Sequence, residues 1–288
     1  MFLIKIKRFV YITILFIFNK LNILHKSSPF KELRSNSDDG LYLRAVNKFL
    51  KQNKKFKNFR KNIYWKLVVE NTSKEIGEQY LNEIPEKFLT NELKSLCLDI
   101  DSIGSPNKFF FEKVNLFFSG NIARYLNVAY KIDLLLKGKN LKELNIIEIG
   151  VGCGAQYLIL DNIFKIKKYT MVDLPDVLLL SEKFINSFVV RSCYSTKNIN
   201  QLSINSEKYD LVISNYAFSE LPIKLQLTYM EKVINNSKHG FMAMNTGGEI
   251  SYDGSNNHLD LNYLKANIPN LKISEEPFKT ETNYILSW

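Results

Sequence analysis

Cysteine is scarce: Cys97, Cys153 and Cys193 are the whole complement in 288 residues, an odd number without CxxC spacing. That excludes a disulfide framework or a cysteine zinc site and suits a reducing compartment, so a cytoplasmic location is expected. Histidine is equally rare. His25, His239 and His258 form no HxH or HxxxH pair, and no metal is expected. Long apolar runs are missing too: FVYITILFIF, residues 9 to 18, ends at Asn19 and Lys20, well short of the roughly 20 residues that cross a bilayer as a helix. Apolar residues at 45% and charged residues at 24% match ordinary globular proteins, which excludes wholesale disorder and a multi-span membrane protein.

What is in excess is positive charge, 39 Lys and Arg against 29 Asp and Glu, or +10. The excess sits at one end. Residues 1–70 hold 16 basic and 4 acidic side chains, so the remainder is close to neutral at −2. A basic balance ordinarily raises nucleic acid or an anionic membrane as partner. Here the near-neutral remainder shows no electrostatic need for nucleic acid, which is not expected to be the partner.

The first 28 residues combine the apolar run with Lys5, Lys7, Arg8, Lys20 and Lys26. A cleaved signal would require a small-x-small site, which NKLNILHKSSPF lacks. Two readings stand: an interfacial anchor on the inner face of the cytoplasmic membrane, or a helix docked on the protein's own core. Residues 27–40 read as a polar linker. Residues 29–137 then read as a helical accessory region on the acceptor side, with apolar residues at i, i+3, i+4 and i+7. Within it KQNKKFKNFRKN, residues 51–62, interleaves Phe56 and Phe59 with cations. It is either a nucleic-acid or phosphate-binding surface or the solvated face of a helix whose two Phe are core.

After Gly138 the period changes. β-type runs, LNIIEIG ending at Gly150, KKYTMVD (167–173), SFVVRS (187–192), YDLVISN (209–215), HGFMAMN (239–245), LKISEE (271–276) and NYILSW (283–288), alternate at first with helical segments. Alternation predicts an α/β fold with a doubly wound, mostly parallel seven-stranded sheet over residues 138–288. The last two runs are separated by PFKTET alone, which predicts an antiparallel hairpin at the sheet's end.

The chemistry-bearing motif is EIGVGCG, Glu148 to Gly154, at the end of an apolar strand and the start of a helix. Gly150, Gly152 and Gly154 allow a tight turn and a close ligand approach over helix N-terminal amides. The third glycine comes one position too early for the dinucleotide pattern, but Asp173 ends the next strand, 19 residues after Gly154, where a carboxylate accepts from ribose hydroxyls. That suits a nucleoside without a pyrophosphate. An N-cap for the helix opening at Pro175 is the other role open to Asp173.

EIGVGCG, MVDLPDV (171–177) and YDLVISNYAFSEL (209–221) together resemble class I S-adenosylmethionine (SAM)-dependent methyltransferases. With VNKFLKQNKKFKNFRKNIYWKLVVENTSKEIGEQYL, DIDSIGSPNKF, ARYLNVA and the ending PNLKISEEPFKTETNYILSW, residues 40–288 resemble a bacterial family of sugar O-methyltransferases. The resemblance implies a Rossmann-like fold, SAM as cofactor, and a saccharide or surface-glycan precursor as acceptor. It assigns Glu148, the three glycines, Gln156, Asp173, Ser214 and Asn215 to the cofactor, and Arg124, Tyr125 and Tyr216 to the acceptor. Departures are Val151, Cys153 and Ala155 in the loop, and no acidic residue after the third strand, where VVRSCYSTKN offers Arg191, Ser192 and Tyr194. For the general base that an unactivated hydroxyl needs, the candidates are Glu220 and His258. Alternatives are a small-molecule or RNA methyltransferase, or a non-catalytic binding protein of this fold. Composition does not set the oligomeric state.

Overall fold

The computed structural model describes residues 40–139, 141–204, 207–245, 259–277 and 283–288. The apolar run 9–18 and His258 lie outside the described residues. Among those described, no helix is long and apolar enough to cross a membrane.

The N-terminal region opens with α1 (Leu41–Lys51), whose Tyr42, Ala45, Val46 and Phe49 follow a helical spacing and are buried. Then come α2 (Asn53–Phe56), α3 (Ile63–Val68), α4 (Lys74–Asn82), α5 (Asn91–Ile100) and the long α6 (Gly120–Leu136). Their starts are written in the sequence. Asn62, Ser73, Thr90 and Ser119 each accept a backbone N–H of the first turn and so satisfy one of its orphan donors. One departure from an all-helical reading is a small hairpin of β1 (Phe109–Phe111) and β2 (Leu116–Phe118), where stacked Phe111 and Phe118 face the core.

The basic stretch 51–62 resolves in favour of the core. Phe59 is fully buried in a cluster with Phe49 and Trp65, while Lys51, Lys54, Lys55 and Lys57 are exposed. Arg60 is the exception, at 1% exposure. Its guanidinium is bonded to Glu70 at 2.6 Å, Asp101 at 2.7 Å and the Ser119 hydroxyl at 3.0 Å. Asp101 also accepts from the Ser119 amide, so this network fixes the first turn of α6.

The sheet comprises β3 (Leu144–Ile149), β4 (Ile166–Val172), β5 (Cys193–Lys197), β6 (Tyr209–Asn215), β7 (Ser237–Asn245), β8 (Lys272–Glu275) and β9 (Asn283–Ser287). Its order is β5-β4-β3-β6-β7-β9-β8. The first five strands are parallel, and β9 runs antiparallel between β7 and β8. The doubly wound, seven-stranded fold and the terminal hairpin are thus present. The third strand lies at 193–197 and not at 187–192. Val189 is fully exposed, and CYSTK at the sheet edge is only half-buried, so the true strand carries no apolar run.

Crossover helices α7 (Ala155–Ile163), α8 (Pro175–Ile185) and α9 (Ile223–Lys232) cover the two faces, joined by α10 (Leu261–Asn267). Alternate residues of the strands feed two apolar clusters. One holds Ile146, Tyr169, Leu211 and Phe241 and runs without a break into α1, α4, α5 and α6; the other holds Ile147, Val172, Val212 and Met242 under α9. Because the chain turns left from β3 to β4 and β5, then right to β6 and β7, a crevice opens at the carboxyl ends of β3 and β6.

Candidate functional site

A cavity of about 550 Å³ occupies that crevice. Gly150 and Val151 of the loop after β3 line it. Gly150, Gly152 and Gly154 all take left-handed φ, at 77°, 55° and 83°. Gly152 and Gly154, expected at the cofactor, are not among the lining residues and face Val69 and Ile185. At Gly150 the need for glycine is also steric. A Cβ there would stand 2.0 Å from the Cβ of Ala217, in the loop after β6. The two loops therefore touch, and Glu148, Gly150 and Val151 face the cavity beside Asn215, Tyr216 and Ala217.

Asp173 lines the same cavity at the tip of β4. Its Oδ2 accepts from the Val151 amide at 2.8 Å and its Oδ1 from the Leu174 amide at 2.7 Å. It does not cap α8; the cap position is Leu174, without a side-chain bond. Asp173 ties the glycine loop to its own strand and presents its remaining lone pairs to the crevice. Burial pushes its carboxyl up to about 6, although the amides of Leu174, Val151 and Gly152 favour the ionised form. Glu148 is 1% exposed and accepts the Tyr169 hydroxyl at 2.8 Å. Burial pushes it up to about 8, with the Tyr169 bond acting in the opposite sense and nearby Asp173 adding to the rise.

Asn215 lines the cavity at the end of β6. Its Nδ2 donates to Gln156 Oε1 at 3.4 Å, and its Oδ1 is buried with no hydrogen-bond partner. Gln156 and Ser214, by contrast, sit beneath the cavity and are not among its lining residues. Gln156 links Asn215 to the Tyr125 carbonyl at 3.2 Å. Ser214 donates to the Ile149 carbonyl at 3.2 Å and accepts from the Phe218 amide at 3.0 Å, which turns the loop after β6. Both act by positioning residues that do reach the crevice.

Tyr216 follows, in a left-handed conformation with φ 68°, a backbone state that costs a non-glycine residue on the order of 1 kcal/mol. Its hydroxyl donates to Glu276 at 2.5 Å and lies 3.0 Å from the Tyr80 hydroxyl, which donates to the other Glu276 oxygen at 3.0 Å. Arg124, on α6, places its guanidinium 5.5 Å from the Tyr216 ring centre and 5.4 Å from that of the buried Tyr125. Glu220 lines the cavity and accepts from Asn245 Nδ2 at 3.1 Å; helix α9 starts at Pro222 without a side-chain cap.

Several lining residues have no counterpart in the sequence reading. Asn198, Ile199 and Asn200, just after β5, line the cavity together with Leu174. Arg191, Ser192 and Tyr194 are used elsewhere: Arg191 pairs with Glu92, Ser192 is held by Asp161, and Tyr194 packs on Tyr157. Tyr80, Asn245, Asn283 and Tyr229 complete the walls. Asn245 and Asn283 are cross-strand partners, so polar residues ending two neighbouring strands were the available signal.

The donor set fits SAM. Asp173 offers acceptors for a diol, Asn215 an unused acceptor for an ammonium, and Gly150 a backbone that a Cβ would block. No protein-family model matches the sequence, and no curated protein matches it. Solved structures match loosely in shape. The plantazolicin methyltransferase BpumL in complex with S-adenosylhomocysteine (SAH) is 11% identical, with a TM-score of 0.44 over 74% of this chain and 95% of that one. The magnesium protoporphyrin IX methyltransferase ChlM from Synechocystis PCC 6803, with bound SAM, is 12% identical, with a TM-score of 0.44 over 72% and 95%. An S-adenosylmethionine-dependent methyltransferase from Clostridium acetobutylicum ATCC 824 is 13% identical, with a TM-score of 0.44 over 56% and 88%.

Proposed function

We propose that this chain is a SAM-dependent O-methyltransferase whose acceptor is a sugar hydroxyl on a saccharide or surface-glycan precursor. The observation that carries the cofactor half is Asp173, which lines the cavity beside Gly150 and accepts the Val151 amide of the glycine loop and the Leu174 amide of its own strand end. Bound SAM supplies an electrophilic methyl group on a sulfonium. The chain's own residues hold the ribose at Asp173, flank the adenine with Leu174 and Ile199, and bring an acceptor hydroxyl in line from the side of Tyr80, Tyr216, Asn245 and Asn283. Glu220 is the proton acceptor of this reading, oriented by Asn245. The polar amides and hydroxyls on that wall, together with the family resemblance, support a sugar over an apolar acceptor. Residues 1–28 would bring the enzyme to the inner membrane face, where lipid-linked precursors are found.

Calorimetric titration tests the cofactor half. SAH and SAM are expected to bind, and SAM to release protons when titrated at pH 7.5 in buffers of different ionisation enthalpy. The sign follows from Glu148: with its carboxyl pushed up to about 8 it is largely protonated at that pH, and a cationic ligand favours the ionised form. Failure of both compounds to bind would end the methyltransferase reading; proton uptake would remove Glu148 from the cofactor's surroundings. For the acceptor half, mass spectrometry of surface glycans from cells with and without the gene is expected to show loss of one methyl group on a sugar. Unchanged glycans would exclude that acceptor class.

A further inference from the structure

Arg124 is 7% exposed and lines the cavity. Two of its nitrogens are occupied by neutral partners, Nη1 by Asn71 Oδ1 at 3.3 Å and Nη2 by the Val69 carbonyl at 3.4 Å; Nε has none. Among the described residues no carboxylate lies within ion-pair distance of it. Glu276 is near enough to feel its charge, yet both Glu276 oxygens are taken by Tyr80 and Tyr216. Burying a cation without an anionic partner is costly, and an unused buried N–H adds to that cost. The contrast with Arg60 is direct, since that equally buried guanidinium is matched by two carboxylates. The Arg124 fork is held in one orientation by Asn71, Val69 and the flanking rings of Tyr125 and Tyr216. A planar anion entering the cavity would meet a guanidinium already held in place and already desolvated.

We propose that Arg124 is the anion-recognition residue of the cavity and that the ligand it holds carries a carboxylate. Two ligands could bring that group: the amino-acid end of the cofactor, in which case the inference rests on the reading above, or an acidic sugar as acceptor, in which case it deepens that reading. Asn215 Oδ1, a second buried and unpartnered polar atom of a lining residue, is an acceptor, so the two together match a zwitterion.

The test compares wild type with Arg124→Met and Arg124→Lys by calorimetry, using SAH, its decarboxylated analogue, 5′-methylthioadenosine, and glucuronate against glucose with SAH present. If the cofactor brings the carboxylate, wild type prefers SAH to the decarboxylated analogue by about 10- to 100-fold, and Arg124→Met removes that preference. Arg124→Lys, which keeps the charge without the Nε donor, recovers part of it. If the acceptor brings it, SAH affinity is the same in all three proteins, while wild type binds glucuronate in preference to glucose and Arg124→Met does not. Equal binding of every carboxylate and its neutral counterpart by wild type overturns the proposal, whether or not the variants fold. Methylthioadenosine separates the two readings: its binding without any carboxylate preference removes the anion site and leaves the cofactor site standing, whereas binding of no adenosyl compound removes the cofactor site and leaves the uronate comparison to decide Arg124.

Discussion

Asp173→Ala is expected to lower SAH affinity by about 100- to 10,000-fold, since on the proposed reading it removes two charge-assisted hydrogen bonds to a ribose diol, each about 1.5–3 kcal/mol, and frees the glycine loop. The second effect is read from the structure: without the carboxylate, the amides of Val151 and Leu174 lose their acceptors and Val151 is no longer tied to the tip of β4. Asp173→Asn keeps one acceptor and is expected to fall between wild type and alanine. pH gives an independent signature. In the ligand-free protein the carboxyl is pushed up to about 6, and the diol needs the ionised form. SAH affinity should therefore be flat above about pH 7 and fall roughly tenfold per unit below 6, a slope that Asp173→Ala abolishes. Calorimetry from pH 5 to 8 measures both. Loss of less than fivefold in the alanine variant, with the slope intact, would place the ribose elsewhere.

Arg60→Met is expected to destabilise the fold by about 3–5 kcal/mol, the range for removing one partner of a buried ion pair. Asp101 has no exposed side-chain surface and Glu70 only 8%, so neither carboxylate can be rehydrated in place. In a chain of this size that corresponds to a fall in melting temperature of about 10 °C. The network reaches further than stability. Asp101 accepts from the Ser119 amide, and Ser119 caps α6, the helix that carries Arg124 and Tyr125. Arg60→Met should thus weaken ligand binding even where it remains folded. Urea unfolding measures the first effect, and a loss below 1 kcal/mol would show that the triad is replaceable. A double variant, Arg60→Met with Glu70→Leu, should recover part of the lost stability, because it removes one stranded charge and leaves the Asp101 bond to the Ser119 amide in place.

What the sequence made legible follows physical rules of short range. The glycine loop, the carboxylate at the end of the next strand and the periodicities of β3, β4, β6 and β7 are local patterns, and each stands where expected. The edge strand β5 was misplaced because an edge is paired and covered on one side only; CYSTK needs no apolar run, whereas the β-branched Val189 and Val190 looked like a strand and lie in a turn region. Arg60 read as part of a solvated basic face because its partners, Glu70, Asp101 and Ser119, stand up to 59 residues away. The same holds for the wall around Tyr80 and Tyr216. Tyr80 and Glu276 are 196 residues apart and share no motif; the fold makes them neighbours. Gln156 and Ser214 show the converse, motif residues whose side chains bond their neighbours and are absent from the cavity lining.

The place of β9 between β7 and β8 sets an order of assembly during synthesis. Lys272–Glu275 emerge from the ribosome before Asn283–Ser287, yet their strand pairs only with the later one, so β8 must wait for its neighbour. The glycine loop, Asp173 and the five parallel strands all precede both of these strands in the chain, and the five pair with one another without either. Glu276, which holds Tyr80 and Tyr216, and Asn283 take their positions only when the final strand docks. A nascent chain therefore completes the strands that carry the glycine loop and Asp173 before it can present the wall built on Glu276 and Asn283.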